Sequence, residues 1–153
     1  MFGDSLNIII FVRIALMCDP YIFNRNFDSM KKVIATENAP KAVGPYSQAI
    51  EVNGTLYISG QIPVNPADGQ VQTEITAAAH QSLKNIGAIL AEAGMTYDNV
   101  VKTTVLLADI ADFKAVNEVY AEYFTGDKPA RACYQAAALP LGVKVEIEAI
   151  AVR

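Results

Sequence analysis

Arg131 stands between two alanines in Lys128-Pro-Ala-Arg-Ala-Cys133, inside an otherwise apolar run. The planar fork of a guanidinium holds a carboxylate through two parallel N–H···O bonds, a geometry that a lysine cannot copy. The same side chain would equally serve as half of a structural ion pair with a nearby acid. Glu146 is the second candidate, in the closing run Val145-Glu-Ile-Glu-Ala-Ile-Ala-Val152, which reads as a neighbouring strand. In a partly dry pocket a carboxylate can hold and activate a water, its proton affinity tuned by burial. On a wet strand it is only a solvated charge. Glu148 shares its face and competes for either role.

Cys133 falls on the same strand face as Arg131. As a nucleophile it would need a base, and the chain's one histidine, His80, is remote in sequence within a helical pattern. Cys133 therefore reads as a small buried hydrophobe and His80 as a surface helix residue. Tyr120 and Tyr123 read as core or boundary residues, and Gly54 and Gly60 as turn glycines. There is no phosphate-cradling glycine loop and no cluster of metal-ligating types, so neither a nucleotide cofactor nor a metal is expected. Two cysteines without CxxC spacing give no disulfide framework, which fits a reducing cytosol.

The elements that must position these residues follow from pattern. Lys32–Thr36 is a short strand, and Gly44-Pro45-Tyr46-Ser47 a turn or loop. Gln48–Val52 and Thr55–Ser59 flank Asn53-Gly54, a strong hairpin signal. After a loop over Gly60–Gln72, Thr73 can cap a helix with Glu74 in its first turn. Ile75, Ala79, Leu83, Ile86, Leu90 and Ala93 share one face of it, and Gly94 stops it. Val100–Leu107 is β-branched and reads as a central strand. Asp109 can cap a second helix with Phe113, Val116, Tyr120 and Phe124 inward and Gly126 at its end. Ala130–Ala136 and Lys144–Arg153 are strands on either side of the Leu139–Gly142 turn. The order βββαβαββ predicts an α+β domain, a mixed sheet with two helices packed on one face. In the last strand Val145, Ile147, Ala149 and Ala151 point one way. Glu146, Glu148, Ile150 and Val152 point the other, so the face away from the helices suits a subunit interface beside a polar pocket.

The 153 residues suffice for one domain; 52% are hydrophobic and only 18% charged, so an oligomer is expected. A net charge of −4 without a basic stripe argues against nucleic acid as the main partner. Residues 1–29 differ in style from the rest. The apolar run Ile8–Cys18 is broken by Arg13 and is too short to span a bilayer, and Asp4 precedes it where a signal peptide wants positive charge. A mis-assigned start or a disordered extension before a domain over 30–153 is the expectation, with no membrane partner.

Six blocks in order carry a resemblance. Ala39-Pro40, Gly44-Pro-Tyr-Ser-Gln-Ala49, Ser59-Gly-Gln-Ile-Pro63, Asn117-Glu-Val-Tyr120, Pro129-Ala-Arg-Ala-Cys133 and Val145-Glu-Ile-Glu-Ala-Ile-Ala151 resemble the RidA (YjgF) family over about residues 30–153. That resemblance implies a chorismate-mutase-like fold and a cytoplasmic homotrimer with active sites between subunits. It implies hydrolysis of 2-aminoacrylate and 2-iminobutyrate to 2-keto acids and ammonia without a cofactor, which protects pyridoxal-phosphate enzymes. By motif, Arg131 matches the arginine that clamps the substrate carboxylate, and Glu146 the acid that positions the attacking water. Tyr46, Ser59 and Asn117 match pocket residues, and the backbone of Cys133 the group near the substrate nitrogen. Ala132 stands where many relatives carry Ser, and residues 1–29 have no counterpart. Some branches of the superfamily lack the arginine, so a carboxylate-binding regulatory trimer is the alternative. An RNA-cleaving translation inhibitor is a third reading, against which the acidic charge stands.

Overall fold

Asn53 and Gly54 both take positive φ, 51° and 75°, as a two-residue hairpin turn of this kind requires. They join β2 (Ala49–Val52) to β3 (Thr55–Gln61), paired antiparallel from Ala49↔Ile58 to Val52↔Thr55. The computed structural model describes residues 31–153. The expected extension over 1–29, Cys18 included, lies outside the described residues. The other strands are β1 (Lys31–Ile34), β4 (Val100–Leu107), β5 (Ala130–Gln135) and β6 (Val145–Val152). The six run in the order β1-β2-β3-β6-β4-β5. β6 is antiparallel to both neighbours while β4 and β5 are parallel, so the sheet is mixed as expected. Arg131 and Glu146, however, are not on neighbouring strands: β4 runs between them.

Helix α1 spans Ile75–Glu92 and buries Ala78, Ala79, Leu83, Ile86, Ile89 and Leu90. Its cap is Glu74 rather than Thr73. Glu74 keeps an extended backbone, and its carboxylate accepts hydrogen bonds from the N–H groups of Thr76 (3.0 Å) and Ala77 (2.8 Å). A charged acceptor also suits the positive end of the helix dipole. Gly94, at φ 69°, closes the other end, where its N–H donates to Ala91 O at 2.9 Å and that of Met95 to Leu90 O at 2.8 Å. These crossed bonds satisfy carbonyls that a helix end leaves open. Helix α2 is Phe113–Tyr123. Asp109 caps the short 3-10 turn Ile110–Asp112 before it, not α2 itself. Gly126 is not the stop, because the helix already ends at Tyr123.

Both helices cover one sheet face. Leu56, Ile58, Val105, Leu107, Val145, Ile147, Ala149 and Ala151 form a single core with the buried stripes of α1 and α2, each large aliphatic contributing about 1.5–3 kcal/mol. The alternation expected of β6 holds, since Glu146 and Ile150 are half-buried and Glu148 and Val152 exposed on the opposite face. The C-terminal residue ties hairpin to helix: Arg153 donates to the Glu51 carboxylate (2.7 Å) and to the Ala93 carbonyl (2.6 Å) at the end of α1.

Candidate active site

Arg131 lies on edge strand β5, in register with Thr103 of β4. Thr103 is buried beneath the helices, so Arg131 projects towards α2. Its guanidinium carbon sits 4.6 Å from the Tyr120 ring centroid and 5.6 Å from that of Phe113, a separation at which a cation is attracted to ring faces. The platform is fixed from below, because the Tyr120 hydroxyl shares a buried 2.8 Å hydrogen bond with Thr103 Oγ1. Phe113 was expected in the core; it is 40% exposed because it flanks the guanidinium instead. Among the described residues Arg131 makes no ion pair. The structural ion pair that the sequence left open is therefore not made among the described residues.

Two predicted partners accompany it. Asn117 is half-buried on α2, between Phe113 and Tyr120 at helical spacing. Cys133 pairs with Val105 and is a partly buried free thiol packed against the core. Burial pushes that thiol above its ordinary range and the charge of Arg131 only partly offsets it, a setting for an inert hydrophobe rather than a nucleophile.

The second group forms around Glu146, which pairs with Leu106 on the face away from the helices. Its carboxylate opens into a cavity of about 310 Å³ lined by Val43, Tyr46, Ser59, Gly60, Ile62 and Pro140. Burial, and then the charge of Glu148, raises the carboxyl above the usual glutamate range. Ser59 donates its hydroxyl proton to the Ser47 carbonyl at 2.7 Å, so its oxygen faces the cavity as an acceptor. Tyr46, 49% exposed, sits on a loop held from below. Buried Gln48 receives the Thr36 N–H (2.7 Å) and donates to the carbonyls of Thr36, Ala39 and Pro40. Buried Asn85 does the same for the far wall, donating to the carbonyls of Ile62 (3.1 Å) and Val64 (3.0 Å).

The fold thus gathers Tyr46, Ser59 and Glu146 in one cavity and Arg131, Asn117 and Cys133 on the other face of the sheet. One chain does not bring the two sets together. Sequence reasoning missed Gln48, Gly60 and the platform of Phe113 and Tyr120. Gly60 carried a usable signal, a glycine directly after a strand residue, which often marks close approach of another group. It lies inside β3 rather than in a turn, beside a register shift between Ile58 and Gln61. His80 is not a surface residue either. It is half-buried between the helices, with Nδ1 3.0 Å from the Tyr123 hydroxyl and Nε2 3.9 Å from Glu122. Among the described residues no three His, Cys, Asp or Glu side chains converge as a metal would need.

The model of the family described as endoribonuclease L-PSP matches residues 36–153. The 2-iminobutanoate/2-iminopropanoate deaminase of Mus musculus is 58% identical over 125 residues, 81% of this chain and 93% of that protein. Among solved structures, the YjgF gene product of E. coli has a TM-score of 0.78 and 50% identity, covering 80% of this chain and 98% of that one. E. coli TdcF, solved with bound serine, has a TM-score of 0.78 and 43% identity over the same shares, 80% and 98%.

Proposed function

The chain belongs to the endoribonuclease L-PSP family, also called YjgF or RidA, and from that premise we propose that it is a cytoplasmic, cofactor-free 2-imino-acid deaminase. Its substrates are the imine forms of 2-iminobutanoate and 2-iminopropanoate, the latter arising from 2-aminoacrylate. It converts them with one water to the 2-keto acid and ammonia, removing electrophiles that damage pyridoxal-phosphate enzymes.

The observation that carries the reading is the guanidinium of Arg131, seated on two rings and paired with no acid among the described residues. Such a group binds an α-carboxylate bidentately. A family member solved with serine, itself an α-amino carboxylate, is in keeping with this. The imine carbon is already electrophilic, so orientation, a fixed water and proton transfer suffice. Ionised Glu146 takes a proton from water as the water oxygen bonds to the imine carbon. Glu146 returns that proton to the nitrogen, which takes up the C=N π pair, giving a carbinolamine. The carbinolamine hydroxyl then gives its own proton, through Glu146, to the amine, the C=O forms as the C–N bond breaks, and ammonia leaves. A carboxyl whose proton affinity is raised by burial and by Glu148 both accepts and returns that proton. Ser59 and Tyr46 line the water side, while Asn117 and the Cys133 backbone flank the substrate carboxylate and nitrogen.

The working unit is a homotrimer of chorismate-mutase-like subunits. The Arg131 side of one copy meets the Glu146 side of the next, because neither half is complete alone. The exposed Tyr57 and Val152 on the helix-free face support that assembly. The family's description as an endoribonuclease makes RNA the competing substrate, against which the net charge of −4 weighs.

The test is keto-acid release from 2-iminobutanoate generated in situ by a threonine dehydratase, read as acceleration over spontaneous decay. Wild type should accelerate release, and Arg131→Ala should lose about 10²–10³-fold in kcat/KM, as expected for loss of a charge-assisted bidentate clamp on the substrate. A folded wild type that gives no acceleration overturns the proposal.

A further inference from the structure

Four of the glycines among the described residues have positive φ, Gly54, Gly69, Gly94 and Gly142, which accounts for them as backbone requirements. Gly60 is not among them, so its backbone would admit any residue. A Cβ added at Gly44 or Gly126 would meet its nearest neighbours at an ordinary 3.6 Å or 3.8 Å. One added at Gly60 would overlap the Glu146 carboxylate oxygen outright and stand 2.8 Å from Glu146 Cδ. Gly87 is the other bare position, where a Cβ would overlap the hydroxyl of Tyr97, which donates to the Leu83 carbonyl at 2.7 Å. That glycine serves helix packing. Gly60 instead stands in the wall of the cavity that holds the candidate base.

We infer that Gly60 is a positioning residue for Glu146: carrying no side chain, it lets the carboxylate lie against the β3 backbone, where it holds the attacking water. The inference rests on the reading of Glu146 as the water-holding acid. The register shift beside Gly60 brings that stretch of β3 opposite the start of β6, where Gln61 pairs with Ile147. The colliding atoms belong to the free end of a flexible side chain, so a methyl group at position 60 displaces the carboxylate and leaves the ladder intact. The strand on either side is secured independently, by the Ser59 N–H to Gln48 O bond at 3.0 Å and by buried Gln61.

The experiment compares Gly60→Ala, Glu146→Asp, the double variant Gly60→Ala/Glu146→Asp and Glu146→Gln in the full chain. The readouts are circular dichroism, kcat, KM and the pH profile of kcat. Gly60→Ala should fold, lose about 10²-fold in kcat with little change in KM, and show its acid limb at lower pH because the displaced carboxylate is better hydrated. Aspartate is shorter by one methylene and leaves room for the added methyl, so the double variant should exceed Gly60→Ala in kcat. Wild-type kcat in Gly60→Ala overturns the inference, as does a double variant no better than Gly60→Ala while Glu146→Asp alone is active. A Gly60→Ala chain that misfolds should be rescued by Gly60→Ala/Glu146→Ala, and failure of that rescue also overturns it. If Glu146→Gln keeps full activity, the underlying reading of Glu146 fails instead. A harmless Gly60→Ala beside a dead Glu146→Gln sinks the positioning role alone.

Discussion

The two halves of the candidate site are built in opposite ways. Around Arg131 everything rides on regular elements: an edge strand supplies the cation, and α2 supplies Phe113, Asn117 and Tyr120 at helical spacing. Around Glu146 only the acid, Ser59 and Gly60 come from strands. The remaining wall is loop, pinned by the buried amides of Gln48 and Asn85. Their electrostatics differ as well. Arg131 presents a positive charge with no counter-ion among the described residues, whereas Glu146 holds a negative charge that burial and Glu148 disfavour. On the proposed function, a substrate carboxylate would satisfy the first need and a proton drawn from water the second. The two half-sites are complementary, and they lie on opposite faces of one sheet.

The largest effect follows from that opposition. Arg131→Ala and Glu146→Gln should each be nearly inactive alone, yet a co-refolded equal mixture should regain about a quarter of the wild-type rate. In a cyclic oligomer, an interface drawing Arg131 from one chain and Glu146 from the next is intact with that frequency. Recovery measured by keto-acid release would show that the halves meet between subunits. No recovery in mixed oligomers, verified by mass, would require both groups to act within one chain and would break the comparison.

How much of this the sequence discloses tracks the range of the interactions. The Asn53-Gly54 turn, the α1 stripe and the alternation of β6 depend on neighbours in the chain, and all three are readable. Arg131 is conspicuous because a charge between alanines in an apolar strand has few explanations, and Glu146 rises above Glu148 only through the family resemblance. The separation of the two by β4 is not readable, since strand order is decided by long-range pairing. Gly60 looks like a turn glycine until β6 brings Glu146 over it. His80 looks like a surface residue until α2 brings Tyr123 to it. Glu74 takes the capping role from Thr73 because the helix begins one turn position later than the pattern shows.

An intermediate effect separates the loop-built half from the element-built half. Gln48→Leu removes one acceptor and three donations while leaving the backbone groups of Thr36, Ala39 and Pro40 without their partners. The expected cost is about 2–3 kcal/mol of local stability. It should appear as faster amide exchange over residues 36–47 and a raised KM, with the Arg131 platform unchanged. The matching change on the other side, Tyr120→Phe, removes only the bond to Thr103 and keeps the ring, so it should cost about 1 kcal/mol. Equal losses of activity from the two would erase the distinction between a pinned loop and a packed platform.

The smallest effect concerns proton affinity alone. Glu148 shares the open face with Glu146, and its charge disfavours the ionised form of that neighbour. Glu148→Gln removes the repulsion, so the Glu146 carboxyl falls back towards the ordinary range and keeps its base form to lower pH. The acid limb of the kcat profile should move down in pH while the plateau stays in place. Stability moves with it. A carboxyl whose folded proton affinity is raised favours the fold fully below its unfolded value and loses that contribution as pH rises through the folded one. Weakening the shift reduces the loss, so Glu148→Gln should be slightly more stable than wild type at neutral pH and no more stable in acid. An acid limb that does not move would mean that burial alone tunes Glu146, or that the limb belongs to another group, which Glu146→Asp would distinguish by shifting it or leaving it fixed.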